Sequence, residues 1–176
     1  MMDILLNYEY RQADVEPLPL RQLAEHTLRA EEVPDTTEVS ITFVDDEEMA
    51  ALNAEYRGKQ GPTDVLSFEC DGLDDDFAWP EAEDEPFQLG DIVIAPDVAQ
   101  RQAADFGTTF EGELTLLVVH GLLHLCGYDH VEDDEAEQMK QRESAILRAW
   151  GDQRGDDSAV ETLILQGHPF HGRQED

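Results

Sequence analysis

Phe110-Glu111-Gly112-Glu113-Leu114-Thr115-Leu116-Leu117-Val118-Val119-His120-Gly121-Leu122-Leu123-His124-Leu125-Cys126-Gly127-Tyr128-Asp129-His130 is the stretch on which the fold turns. From Leu114 to Leu125 it is apolar almost all round, so a helix over Phe110 to Cys126 must be central and buried rather than amphipathic and superficial. His120 and His124 are four apart, which on a helix stacks them on one face about 6 Å apart along the axis. Gly127 follows three residues later, where a left-handed backbone ends a helix and swings the chain back toward its own face. His130 then completes a set of three imidazoles. Structural zinc sites close with four protein ligands, often thiolates, so three neutral imidazoles describe a catalytic site holding one Zn2+ per chain through His120, His124 and His130.

The spacing follows the long zincin pattern H-E-x-x-H-x-x-G-x-x-H at every specified position but one. Gly121 stands where the pattern has the glutamate that takes the proton from metal-bound water in zinc proteases. The site keeps the metal ligands and lacks the protease base, which argues against peptide hydrolysis by that route. Cys126 reads as a small side chain packed beside a helix end rather than as a fourth ligand.

Working outward, Ile4 to Tyr10 reads as an opening strand, and Leu18 to Ala30, with Leu20, Leu23, Ala24 and Leu28 on one face, as an amphipathic helix. Glu38 to Val44 alternates as a half-buried strand. Asp45 or Asp46 caps a helix through Met49, Leu52 and Tyr56 that Gly58 and Gly61-Pro62 end. Asp64 to Phe68 and Asp91 to Ala95 are further strands. Between them, residues 69–85 hold nine acids in seventeen positions without EF-hand spacing, a solvated excursion rather than a calcium loop. Helices follow over Pro96 to Phe106, over the histidine segment, and over Asp133 to Trp150, where Gly151 stops the last. The fold expected is a single α+β domain, a mixed β-sheet flanked by helices, with a buried central helix carrying the metal-binding histidines. Residues 1–151 form the domain and 152–176 an acidic, flexible C-terminal tail, in which His168 and His171 read as part of a polar extension.

The chain is long enough to bury about 70% of its unfolded surface without staples. Its two cysteines, Cys70 and Cys126, fit a reducing compartment. The N-terminus has no signal-peptide pattern and no apolar run approaches a membrane span, so a soluble cytoplasmic protein is expected. The formal net charge is −31, and only Lys59 and Lys140 among eleven basic residues are lysines. That balance opposes generic binding to nucleic acid, DNA included, unless a local arginine cluster works at high salt, where screening lengths fall to about 3 Å near 1 M.

One such locus is Tyr56-Arg57-Gly58-Lys59, with two cations on a glycine-rich turn entering a strand, a geometry that brings a guanidinium over a phosphate. Alone, such a turn is commonplace. Together with Pro62-Thr63-Asp64-Val65-Leu66-Ser67-Phe68, Gly90-Asp91-Ile92-Val93-Ile94 and the histidine segment, in that order over roughly residues 4 to 150, it resembles the YbeY family of bacterial endoribonucleases. The resemblance implies zinc on His120, His124 and His130, and an important arginine at Arg57, placed to stabilise charge developing on phosphorus. It further implies cleavage of single-stranded RNA in maturation of the small-subunit rRNA 3′ end and in ribosome quality control, with pre-rRNA and the small ribosomal subunit as partners. The general base stays open, Asp129 being available either for that role or for orienting a ligand histidine. Two other readings are a non-catalytic ribosome-assembly factor with structural zinc and a zinc hydrolase of a non-RNA substrate.

Overall fold

The computed structural model describes residues 2–69, 87–127 and 133–154. Cys70, most of the acidic stretch (70–85), Asp129, His130 and the tail from 155, with His168 and His171, lie outside the described residues. Ten elements run in the order β1 (Asp3–Tyr8), α1 (Gln12–Val15), α2 (Leu20–Ala30), β2 (Thr37–Phe43), α3 (Asp46–Arg57), β3 (Val65–Glu69), β4 (Phe87–Ile94), α4 (Pro96–Phe106), α5 (Phe110–Leu125) and α6 (Asp133–Arg154). The four strands form one mixed sheet in the order β1-β2-β4-β3. β1, β2 and β4 are parallel and β3 pairs antiparallel with β4, Ser67 opposite Ile92 and Leu66 opposite Val93. The α+β mixed-sheet reading holds.

Period-2 patterning sends the side chains to two unequal cores. Val39, Ile41, Phe43, Leu89, Ile92, Ile94 and Val65 face the larger one, which α2, α5 and α6 complete with Leu20, Leu23, Leu28, Leu117, Leu122 and Leu147. On the opposite face Leu66, with Phe68 and Val93, packs under α3 through Met49 and Leu52. α5 is the hub, touching α2, α4, α6, β3 and β4, which is why its sequence is apolar all round. Among the described residues no helix is long and apolar enough to cross a membrane.

Three details differ from the pattern in the sequence. The short α1 was not expected. β4 begins at Phe87 rather than Asp91, because its first residues continue the pairing with β2 from Thr37 onward although Gln88 and Gly90 carry little strand signal. Gly151 does not end the last helix, which runs on to Arg154. An interior glycine costs only about 1 kcal/mol, and Gly151 is buried, so packing offsets a weak local penalty.

Candidate functional site

The histidine helix starts firmly. The Thr109 hydroxyl accepts the Gly112 N–H at 3.0 Å, Glu111 and Glu113 sit in the positive first turn, and the buried Glu113 carboxylate accepts a hydrogen bond from the Thr108 hydroxyl. Three turns later the helix makes a close approach to the sheet at Gly121. A Cβ there would stand 3.1 Å from both Cδ1 and Cγ2 of Ile92, and the Ser67 hydroxyl donates to the Gly121 carbonyl at 3.4 Å. The residue type at 121 is therefore set by packing against β3 and β4. Any side chain there requires Ile92 to give by a few tenths of an ångström, so packing against the sheet opposes the glutamate of the zincin pattern at this position.

The expected helix end is present. Cys126 N–H bonds to the Leu122 carbonyl at 3.0 Å and Gly127 N–H to that of His124 at 3.1 Å, with Gly127 at φ +106, a conformation that favours glycine. Cys126 is half-buried against the main core. Burial, with repulsion from Glu31 adding to it, pushes its thiol up to about 12, so it is a protonated packing side chain. Among the described residues no three His, Cys, Asp or Glu side chains converge as a metal-ligand group. His120 and His124 supply two candidates, one turn apart on α5.

His120 has a partner that the motif does not contain. Its Nδ1 lies 2.7 Å from Oε2 of Glu143 on α6, and the two side chains are only 7% and 1% exposed. With the Nδ1 proton donated to a carboxylate, Nε2 carries the lone pair that a metal requires. Metal-ligating histidines are held in this way by their outer partners, so the donor chemistry of this helix fits a zinc ion. A signal for Glu143 was present in the sequence: Met139, Ile146, Leu147 and Trp150 form the buried stripe of α6, and position 143 falls within it at helical spacing. A carboxylate in an apolar stripe needs a partner.

Arg57 is the last residue of α3, half-buried, where its charge suits the negative helix end. Gly58 follows at φ +67, with its N–H on the Ala54 carbonyl at 3.2 Å and Lys59 N–H on that of Asn53 at 3.4 Å. The turn beyond is fastened twice. Asn53 donates to the Gly61 carbonyl at 2.8 Å, and buried Asp64 accepts from Val65 N–H at 2.8 Å and from Gln102 at 3.0 Å. α3 and α5 lie on opposite faces of the sheet, yet both meet the same stretch of edge strand β3. Tyr56 packs edge-on against Phe68 at 5.0 Å, while adjacent Ser67 touches Gly121 from the other side.

The profile of the family described as Endoribonuclease YbeY matches residues 6–151. The chain is 42% identical over 151 residues to the Endoribonuclease YbeY of Frankia casuarinae, covering 85% of this chain and 75% of that one. It is 42% identical over 154 residues to that of Shouchella clausii, covering 86% and 96%. In three dimensions it is similar to the solution structure of TM1509 from Thermotoga maritima, with a TM-score of 0.58, 30% identity, and coverage of 90% of this chain and 95% of that one.

Proposed function

Because the chain belongs to the YbeY family of endoribonucleases, we propose that it cleaves single-stranded RNA with a zinc ion held by His120, His124 and His130 and with Arg57 at the scissile phosphate. The enzyme class, a hydrolase of RNA in a family known for rRNA processing, follows from membership. The finer assignment rests on one observation above the others: the His120 Nδ1 contact to buried Glu143, which leaves Nε2 as the ligating atom one helical turn from His124.

Zinc bound there would supply Lewis acidity to a phosphoryl oxygen and lower the pKa of a bound water toward about 7. The chain's own residues do the rest. α5 places the buried His120 and the half-buried His124 one turn apart, and the Glu143 contact holds the first of them. Arg57, held at a capped helix end, presents a planar fork of donors that matches two phosphoryl oxygens and stays charged at any working pH. Such a donor acts on charge that develops during cleavage and therefore lowers the barrier rather than only the binding constant. Gly121, at the position of the protease base, argues against peptide hydrolysis by that route.

In this reading residues 1–151 are the nuclease domain and 152–176 an acidic tail, and the enzyme works in the cytoplasm on the 3′ end of small-subunit rRNA in company with the small ribosomal subunit. Zinc analysis and cleavage of a single-stranded RNA by wild type and His124→Ala, purified identically, test it. About one zinc per chain and cleavage in wild type, both lost in the variant, are expected. Cleavage by metal-stripped wild type, or zinc retained at full occupancy in His124→Ala, would overturn it.

A further inference from the structure

We propose that Glu143 is the positioning residue of the metal centre: it holds the proton of His120 on Nδ1 and so makes Nε2 the metal-binding atom. The proposal rests on the zinc reading above. A neutral imidazole has two tautomers of similar energy, and the one that carries its proton on Nε2 cannot ligate through that atom. A buried carboxyl oxygen 2.7 Å from Nδ1 is placed to select between them before any metal arrives. It also fixes the ring plane, because the contact spans two helices and both side chains are almost fully buried.

The placement is costly for any purpose other than a specific contact. Glu143 lies among Met139, Ile146, Leu147 and Trp150, where a leucine would pack without desolvation. A buried polar pair adds little net stability compared with apolar residues of the same volume, so packing alone does not account for a carboxylate here. α5 and α6 also bracket His130 in the chain. The contact that sets the proton on His120 thereby fastens the helix before the third histidine to the helix after it.

Glu143→Gln and Glu143→Ala separate positioning from plain stability. Zinc affinity is read by competition with a chromophoric chelator, melting temperature on metal-free protein, and the His120 tautomer by long-range 1H–15N correlation on metal-free, 15N-histidine-labelled protein. Metal-free wild type should carry the proton on Nδ1. Glu143→Ala should mix the tautomers and weaken zinc 10- to 100-fold, the range found when such outer partners are removed. Glu143→Gln, nearly isosteric and still able to accept the Nδ1–H hydrogen bond, should fall between and serves if the alanine variant does not fold. An Nε2 proton in metal-free wild type would overturn the proposal. So would variants whose melting temperature falls while the folded fraction binds zinc as tightly as wild type. Failure of wild type to bind zinc would instead sink the metal reading and this proposal with it.

Discussion

Gly121 offers the sharpest test of how the site is built, because one substitution sets helix propensity against packing. Gly121→Ala gains about 1 kcal/mol from propensity. It also places a methyl 3.1 Å from two carbons of Ile92, a side chain fully buried in the sheet with little room to retreat. Overpacking of this kind costs typically about 1–3 kcal/mol, so the net expectation is a loss of about 1 kcal/mol, or about 3 °C in melting temperature for a chain of this size. Gly121→Glu, which completes the zincin pattern, adds a carboxylate against an apolar strand and should lose about 3 kcal/mol or more, about 10 °C, without gaining peptidase activity. Thermal melts of metal-free protein measure both. A cycle with Ile92→Ala locates the cause: that change alone costs about 2–5 kcal/mol, but the alanine at 121 should then become neutral or favourable, a coupling of about 1 kcal/mol. A Gly121→Ala protein as stable as wild type or more so would refute the steric account of the missing glutamate.

Arg57→Ala should leave zinc content nearly unchanged and lower the melting temperature by only a few degrees, through loss of a charge that suits the negative end of α3, yet lower cleavage by about 10²-fold or more. Arg57→Lys should recover only part of that, and wild-type cleavage by the alanine variant would remove Arg57 from the mechanism. The formal charge of −31 should make the melting temperature rise as sodium chloride increases toward 1 M, because screening relieves carboxylate repulsion. A flat or falling series would show that the charges are already balanced locally.

Most of the architecture was legible because the strong signals agreed with the tertiary context. The Asp45 cap is real, its carboxylate accepting the Glu48 N–H at 2.8 Å, and Gly58, Gly107 and Gly127 end their helices in left-handed conformations, as single-residue chemistry requires. Alternation from Glu38 to Val44 already marks Val39, Ile41 and Phe43 as the inward set of β2, which the structure extends by one step to Thr37. What escaped depended on partners far away in sequence. The start of β4 is fixed by pairing with β2 fifty residues earlier, and the continuation of α6 through Gly151 by burial. At the site, the motif gave the histidines and the turn gave Arg57, but Glu143 was missed because a lone glutamate on a charged helix reads as solvated. Only its register with Met139, Ile146 and Trp150 marks it as inward-facing.

The same geometry narrows the question of the general base. In the zincin pattern one helix supplies both the ligands and the carboxylate that takes a proton from water. Here the position for that carboxylate is crowded by Ile92, and among the described residues a carboxylate reaches His120 from α6. Glu143 cannot substitute for the missing base: Oε2 already accepts from His120 Nδ1, and at 1% exposure neither water nor an RNA hydroxyl reaches it. Its role is confined to the far side of the imidazole. Arg57 is excluded as well, since a guanidinium stays protonated. Cys126 is protonated at working pH. The proton acceptor must therefore be a group other than these three, which directs mutagenesis to Asp129, between Gly127 and His130 in the chain. Asp129→Asn with unchanged zinc affinity and a large loss of cleavage would assign it the base's role, whereas a loss of zinc affinity in proportion would place it behind a ligand histidine as Glu143 stands behind His120.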